Sequence, residues 1–283
     1  MARVNVYKYF SRINQDGLLV VSPDGLERVD DKFKQWDIHR SITKEYGEIV
    51  DEAIENEFAF QNFKSNRKYN SIVGMCDDFQ SRLWLERVEN EFPQILNKIE
   101  QFKKNDTIGN PSLWHSGKYG MISPDTLHRI NTLCDVEKYF DGLNDKNVVE
   151  IGVGYGGLCF VLSSFYNIKS YELVDLKNVV DLSEKYLSAL GVEVASCETE
   201  DFDLTISEFC IAELDNKGIE QYFEKYIQKS KAIYIMMNPA PLKWPEKRLS
   251  DFHDMLTEDF EIEIHEEFPK MVDFNYLIVG HKK

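Results

Sequence analysis

From Ile38 to Phe58 apolar residues recur at three- and four-residue spacing: Ile38, Ile42, Tyr46, Ile49, Val50, Ala53, Ile54 and Phe58. That period places them on one stripe of an amphipathic helix. A second stripe runs through Phe79, Leu83, Val88, Phe92, Ile95, Ile99 and Phe102, with Pro93 inside it. Proline lacks the N–H that a helix interior needs, so this helix is expected to kink or restart there. Ahead of both, Val4 to Ile13 and Leu18 to Val21 flank Asp16-Gly17, and Pro23-Asp24-Gly25 follows, the pattern of a small hairpin. Loop chemistry at Asp106-Thr-Ile-Gly-Asn-Pro111 ends this region. Ser123-Pro-Asp-Thr then predicts a helix to about Phe140, with Ser123 as N-cap and Pro124 in the first turn.

From Asn147 the pattern changes to short apolar runs separated by helical stretches. Strands are expected at Val148 to Ile151, Ser170 to Val174, Val192 to Ser196, Leu204 to Ser207, Ala232 to Met237, Phe260 to His265 and Phe274 to Gly280. The alternation predicts an α/β fold with a largely parallel sheet. Ile219, Tyr222, Phe223, Tyr226 and Ile227 form one apolar helix face that should pack on it. The last two strands are too close in sequence for a crossover helix and must pair antiparallel. The expected organisation is a mainly helical region over 1–112 and an α/β domain over 113–283.

Composition narrows the class. A chain of 283 residues, 43% apolar and 29% charged, can bury a sizeable core. Its 49 acidic against 33 basic residues give a net charge of -16, which repels polyanions, so nucleic acid is not an expected partner. The absence of an apolar run long enough for a bilayer, and of an apolar signal core at the start, leads to the expectation of a cytoplasmic protein without a membrane span. Five scattered cysteines, none in a C-x-x-C pair, predict reduced core thiols rather than disulfides or zinc ligands.

The chemistry concentrates at Val148-Val-Glu-Ile-Gly-Val-Gly-Tyr-Gly-Gly157, a strand running into a glycine-rich turn and then into the apolar helix Leu158 to Phe165. Gly152, Gly154 and Gly156 let the backbone turn sharply and approach a ligand, while the helix start offers unpaired N–H groups. Asp175 ends the next strand, 23 residues after Gly152, where a carboxylate can accept both ribose hydroxyls. Gly152, Gly154 and Gly157 also satisfy G-x-G-x-x-G, so the glycines alone leave NAD and S-adenosylmethionine both open, and turn-forming glycines without a cofactor are a third reading. Glu150 two residues before the first glycine, the mid-chain position and the terminal strand pair favour S-adenosylmethionine and a seven-stranded Rossmann-like sheet.

Glu150-Ile-Gly-x-Gly-Tyr-Gly-Gly157 followed by Leu173-Val-Asp-Leu176 resembles the sugar O-methyltransferase family associated with bacterial surface-polysaccharide gene clusters. The resemblance extends through Ile108-Gly-Asn-Pro111, Ser123 to Leu127, Asp203 to Ser207, Glu213-Leu214, Asn238, Glu267-x-Pro269 and Asn275, covering roughly residues 106 to 281. It implies a seven-stranded methyltransferase sheet and cofactor contacts at Glu150, Gly152, Gly154, Gly156 and Asp175, with Leu176 beside them. The chain departs from the family at Val153, Glu208 and Ala212, where the family carries Gly, Asn and Ser.

A sugar hydroxyl needs a base or a divalent metal to weaken its proton. Glu208 after the fourth strand and loop residue His115 are the candidate bases; a solvated carboxylate and an ordinary surface histidine are the blander readings. Trp114, Asn238, Trp244, Glu267 and Asn275 are candidate sugar contacts, against the alternative of packing and turn roles. His128, His253 and His265 lack ligand spacing, so no metal site is expected, although a weakly held divalent metal stays open. An NAD-dependent sugar dehydrogenase or epimerase would call for Tyr-x-x-x-Lys, and none follows the glycine motif. A non-catalytic assembly protein is the remaining alternative. The expected partner is a small-molecule or glycan acceptor, and the N-terminal helices offer a surface for a homo-oligomer.

Overall fold

The computed structural model describes residues 12–13, 19–20, 44–74, 76–195, 197, 201–238, 246–270 and 275–283. In chain order these form β1 (Arg12–Ile13), β2 (Leu19–Val20), α1 (Lys44–Glu55), α2 (Glu57–Phe60), α3 (Arg67–Val73), α4 (Asp78–Glu91), α5 (Ile99–Phe102), β3 (Trp114–His115), β4 (Met121–Ile122) and α6 (Pro124–Tyr139). There follow β5 (Asn147–Ile151), α7 (Gly157–Phe165), β6 (Ser170–Val174), α8 (Lys177–Ala189), β7 (Phe202–Glu208), α9 (Cys210–Glu213), α10 (Asn216–Lys225), β8 (Ser230–Met237), α11 (Glu246–Asp259), β9 (Phe260–Glu266) and β10 (Tyr276–Lys282). The main sheet has six strands in the order β6-β5-β7-β8-β10-β9, an α/β fold as the alternation predicts. β5 and β6 run parallel, whereas β10 is antiparallel to both β8 and β9, so the last two strands pair as their short connection requires.

The expected strand at Val192 to Ser196 is the difference. Residues 192–195 carry no strand, although Tyr171 N still donates to Ala195 O at 3.0 Å. Much of the predicted hairpin, Ile38, Ile42, Ser196, Trp244 and Phe274 lie outside the described residues. Within the hairpin, Arg12 pairs with Val20 and Ile13 with Leu19.

Two compact units divide the chain, one of Ser41–Ile206 and one of Ser207–Lys283 with residues 1–40. In the first, α1 lays Tyr46, Val50 and Ala53 against Val179, Leu182 and Tyr186 of α8, and Phe60, Phe63 and Tyr69 complete the cluster. The valine, leucine and phenylalanine side chains among these each contribute about 1.5–3 kcal/mol on leaving water. Lys185 Nζ donates to the carbonyls of Ala53 and Ile54 at the end of α1, at 3.1 and 2.9 Å, where the helix dipole favours a cation. α4 ends at Glu91 with Phe92 as its C-cap, and a 3-10 turn restarts at Pro93, the break the proline predicts. Ser123 caps α6 by accepting from Thr126 N at 3.0 Å, with Pro124 at its first position. In the second unit, α10 buries Ile219 and Phe223 and stops at Lys225. Among the described residues no helix is long and apolar enough to cross a membrane.

Candidate functional site

Between β5 and α7 the chain turns on three glycines with positive φ: Gly152 at 88°, Gly154 at 54° and Gly156 at 88°. Gly152 N donates to Val174 O at 2.8 Å, tying the turn to the end of β6. Gly156 caps α7 in the left-handed region, and a Cβ there would stand 3.2 Å from Leu187 and 3.3 Å from Ser183. Only glycine combines that φ with that closeness.

Asp175 clasps the turn. Its Oδ2 accepts from Gly154 N at 3.1 Å and its Oδ1 from Leu176 N at 2.7 Å. Leu176 itself is exposed. Glu150 has a different setting: it is 3% exposed within β5, and its carboxylate accepts from the Tyr171 hydroxyl of β6 at 2.6 Å.

Beside the turn lies a cavity whose lining includes Lys64, Tyr69, Asn70, Ser112, Asp125 and Tyr155. Tyr155 stands between Gly154 and Gly156, and its hydroxyl donates to Asp125. Lys64 Nζ donates to Asn105 O at 2.6 Å and to the Tyr186 hydroxyl at 2.8 Å, and sits 4.0 Å from the Tyr155 ring centroid. Burial pushes this ammonium down to about 7, against the pull of Asp125 and Asp106. Burial alone would raise Asp125, yet Arg129, whose Nη2 is 3.1 Å from its Oδ1, and Lys64 hold it below the usual carboxylate range. Asp106 goes the other way: burial raises it despite bonds from Ser123 N, Ser123 Oγ and Thr126 Oγ1. The Tyr69 hydroxyl is buried and lacks a hydrogen-bond partner among the described residues. The cavity beside the glycine turn is therefore lined by residues that carry an amine, a carboxylate and a phenol.

Sequence reasoning did not find Lys64, Tyr69 or Asp125. Asp125 and Tyr155 lie inside segments it singled out, but nothing in the local pattern marks Lys64 as buried.

The other predicted residues fall as follows. Trp114 and His115 form β3, paired with Ile122 and Met121; His115 is exposed and its Nδ1 accepts from Gly117 N at 3.1 Å. Of that loop, Pro111 and Ser112 line the cavity and Trp114 and His115 do not. Glu208, Asn238, Glu267 and Asn275 belong to the other unit. Glu208 ends β7, and Phe209 after it turns with φ 64° while its N donates to Met236 O at 2.9 Å. Asn238 follows β8 with its Oδ1 buried and lacking a partner among the described residues. Asn275 Nδ2 donates to Glu267 Oε2 at 2.9 Å. Trp244 lies outside the described residues.

No family model and no curated protein matches the chain. Among solved structures it is similar to an S-adenosylmethionine-dependent methyltransferase from Aquifex aeolicus, at 16% identity over 53% of this chain and 88% of that one, with a TM-score of 0.40. A phosphoethanolamine N-methyltransferase from Haemonchus contortus, in complex with phosphomonomethylethanolamine and S-adenosylhomocysteine, aligns at 14% identity over 71% and 60% of the two chains, with a TM-score of 0.44. An O-methyltransferase family protein from Burkholderia thailandensis aligns at 15% identity over 56% and 60%, with a TM-score of 0.39.

Proposed function

We propose that the protein is an S-adenosylmethionine-dependent O-methyltransferase acting on a sugar hydroxyl, in the biosynthesis of a bacterial surface polysaccharide, with residues 113–283 as its methyltransferase domain. The observation that carries the cofactor is the clasp between Asp175 and the glycine turn, which fixes a carboxylate and a close-approach backbone side by side. Bound there, S-adenosylmethionine supplies a sulfonium methyl group for in-line displacement. Asp175 accepts from two backbone N–H groups of the turn, and a carboxylate held in that direction suits the vicinal hydroxyls of a ribose. Together with Asp175, the residues that would hold it are Glu150, Gly152, Gly154, Gly156 and Leu176. The cavity lined by Tyr155 and Tyr69 would take its polar end.

An acceptor hydroxyl attacking that methyl group would have to lose its proton to a base of this chain. Glu208 and His115 are the bases we assign, and Trp114, Asn238, Trp244, Glu267 and Asn275 the acceptor contacts. The resemblance of residues 106–281 to sugar O-methyltransferases supports the acceptor class. We place the protein in the cytoplasm, as a homo-oligomer through its N-terminal helices.

Calorimetric titration with S-adenosylmethionine, S-adenosylhomocysteine and NAD tests the reading. Both adenosyl compounds should bind, and Asp175→Ala should weaken them at least tenfold, about 1.4 kcal/mol, by removing a charged acceptor. Binding of NAD alone would replace the reading with a dehydrogenase, and binding of none with a non-catalytic protein.

A further inference from the structure

The sequence gives no metal-ligand spacing, but the fold brings three donor types together at one rim of the cavity. Asp125 and His128 stand at i and i+3 on α6, on the same helix face. The loop after α3 delivers Cys76, and one donor atom from each residue lies within 4.8 Å of the other two. The geometry points to a site for a zinc-class divalent cation formed by Cys76, Asp125 and His128.

Zinc bonds to sulfur at about 2.3 Å and to nitrogen or oxygen at about 2.0–2.2 Å, so tetrahedral ligand atoms stand about 3.4–3.7 Å apart. The three donors need to close by at most about 1.4 Å. One thiolate, one imidazole and one carboxylate suit zinc or a similar late divalent ion rather than magnesium or calcium. A thiolate and a carboxylate together balance a dication.

The surroundings orient these ligands. Arg129 Nη2 holds Asp125 Oδ1 at 3.1 Å and the Tyr155 hydroxyl holds the other oxygen, leaving lone pairs for a metal. Supporting hydrogen bonds of this kind fix a ligating carboxylate. The His128 ring lies against Trp84, with centroids 5.1 Å apart, which limits its rotation. Arg129 and Lys64 are the cations that oppose a metal here. Cys76 and Asp125 also line the cavity, so a fourth coordination position opens to a ligand within it. Three protein ligands and one open position is the arrangement of reactive rather than purely structural zinc sites.

Cobalt(II) titration of the full chain, freed of metal by chelation, tests the site without reference to methyl transfer. One equivalent should produce a near-ultraviolet thiolate-to-cobalt band and an intense visible ligand-field band, both displaced by zinc. Cys76→Ser should abolish the thiolate band. His128→Ala should weaken zinc at least 100-fold, since losing even a supporting partner costs about 10–100-fold. Zinc should also slow alkylation of Cys76 by iodoacetamide in the unmutated chain, read by peptide mass spectrometry, which needs no variant to fold. A thiolate band that survives Cys76→Ser, the absence of any band at one equivalent, or alkylation of Cys76 unaffected by zinc would overturn the site. Each of these outcomes is independent of whether S-adenosylmethionine binds.

Discussion

Replacing His253 with glutamine should flatten the acid dependence of stability. His253 sits on α11, 3% exposed, with Nε2 3.2 Å from the Tyr276 hydroxyl of β10 and Nδ1 buried without a hydrogen-bond partner among the described residues. Burial lowers its pKa from 6.5 to about 4. Between those values the unfolded chain binds a proton that the folded chain refuses, so stability is fully present above pH 6.5 and is lost as pH falls towards 4. Each pH decade in that window carries about 1.4 kcal/mol, and by pH 4.5 the single histidine accounts for about 2.5 kcal/mol. Urea unfolding at pH 7.5, 5.5 and 4.5 measures this. Carboxylates titrate in the same range and contribute equally to both proteins, so the quantity to compare is the difference between them. His253→Gln should be less stable by about 1–2 kcal/mol at pH 7.5, from lost ring packing, and should lose about 2.5 kcal/mol less on going to pH 4.5. Parallel stability curves for the two proteins would refute the reasoning, because His253 would then be hydrated or charged in the folded state.

Two further substitutions probe the Ser41–Ile206 unit. Gly156→Ala places a Cβ at φ 88° against Leu187 and Ser183, and after the gain from a stiffer unfolded chain the net cost should be about 1–2 kcal/mol in urea unfolding, with weaker S-adenosylhomocysteine binding in calorimetry. Arg87 Nη2 meets Asp135 Oδ1 at 2.6 Å and Nη1 meets Asn131 Oδ1 at 2.6 Å between α4 and α6, with both ionic side chains buried. Arg87→Met takes the guanidinium away from a buried carboxylate and should cost about 3–5 kcal/mol, much of it recovered in Arg87→Met with Asp135→Leu; equal losses in the single and double variants would refute the pairing.

How much of this was legible depended on how far each feature reaches along the chain. Ser170 to Val174 matches β6, and Pro93 and Ser123 mark real helix boundaries, because strand period, proline and capping chemistry act within a few residues. Val192 to Ala195 alternate like a strand, yet one bond from Tyr171 N to Ala195 O does not make a ladder. Alternation reports which face is apolar, and pairing depends on a neighbour the local sequence does not contain. Lys64 was invisible for the same reason. It reads as a surface lysine between Phe63 and Ser65, and only the fold brings Asn105, Tyr155 and Tyr186 around its amine.

Glu150 and Asp175 show the limit within a single motif. Both are acids flanking one glycine turn, and the family resemblance gives both to the cofactor. Glu150 is enclosed in the sheet with the Tyr171 hydroxyl on its carboxylate, a setting that fixes β5 against β6. Asp175 is half-buried at the mouth of the turn and already aligned by two N–H groups, so a ligand there meets a carboxylate whose direction is set before binding. Ordering that carboxylate in advance removes an entropy cost from binding. Losing it therefore loosens the turn and the ligand together, whereas losing Glu150 should be felt first as instability of the β5–β6 pair.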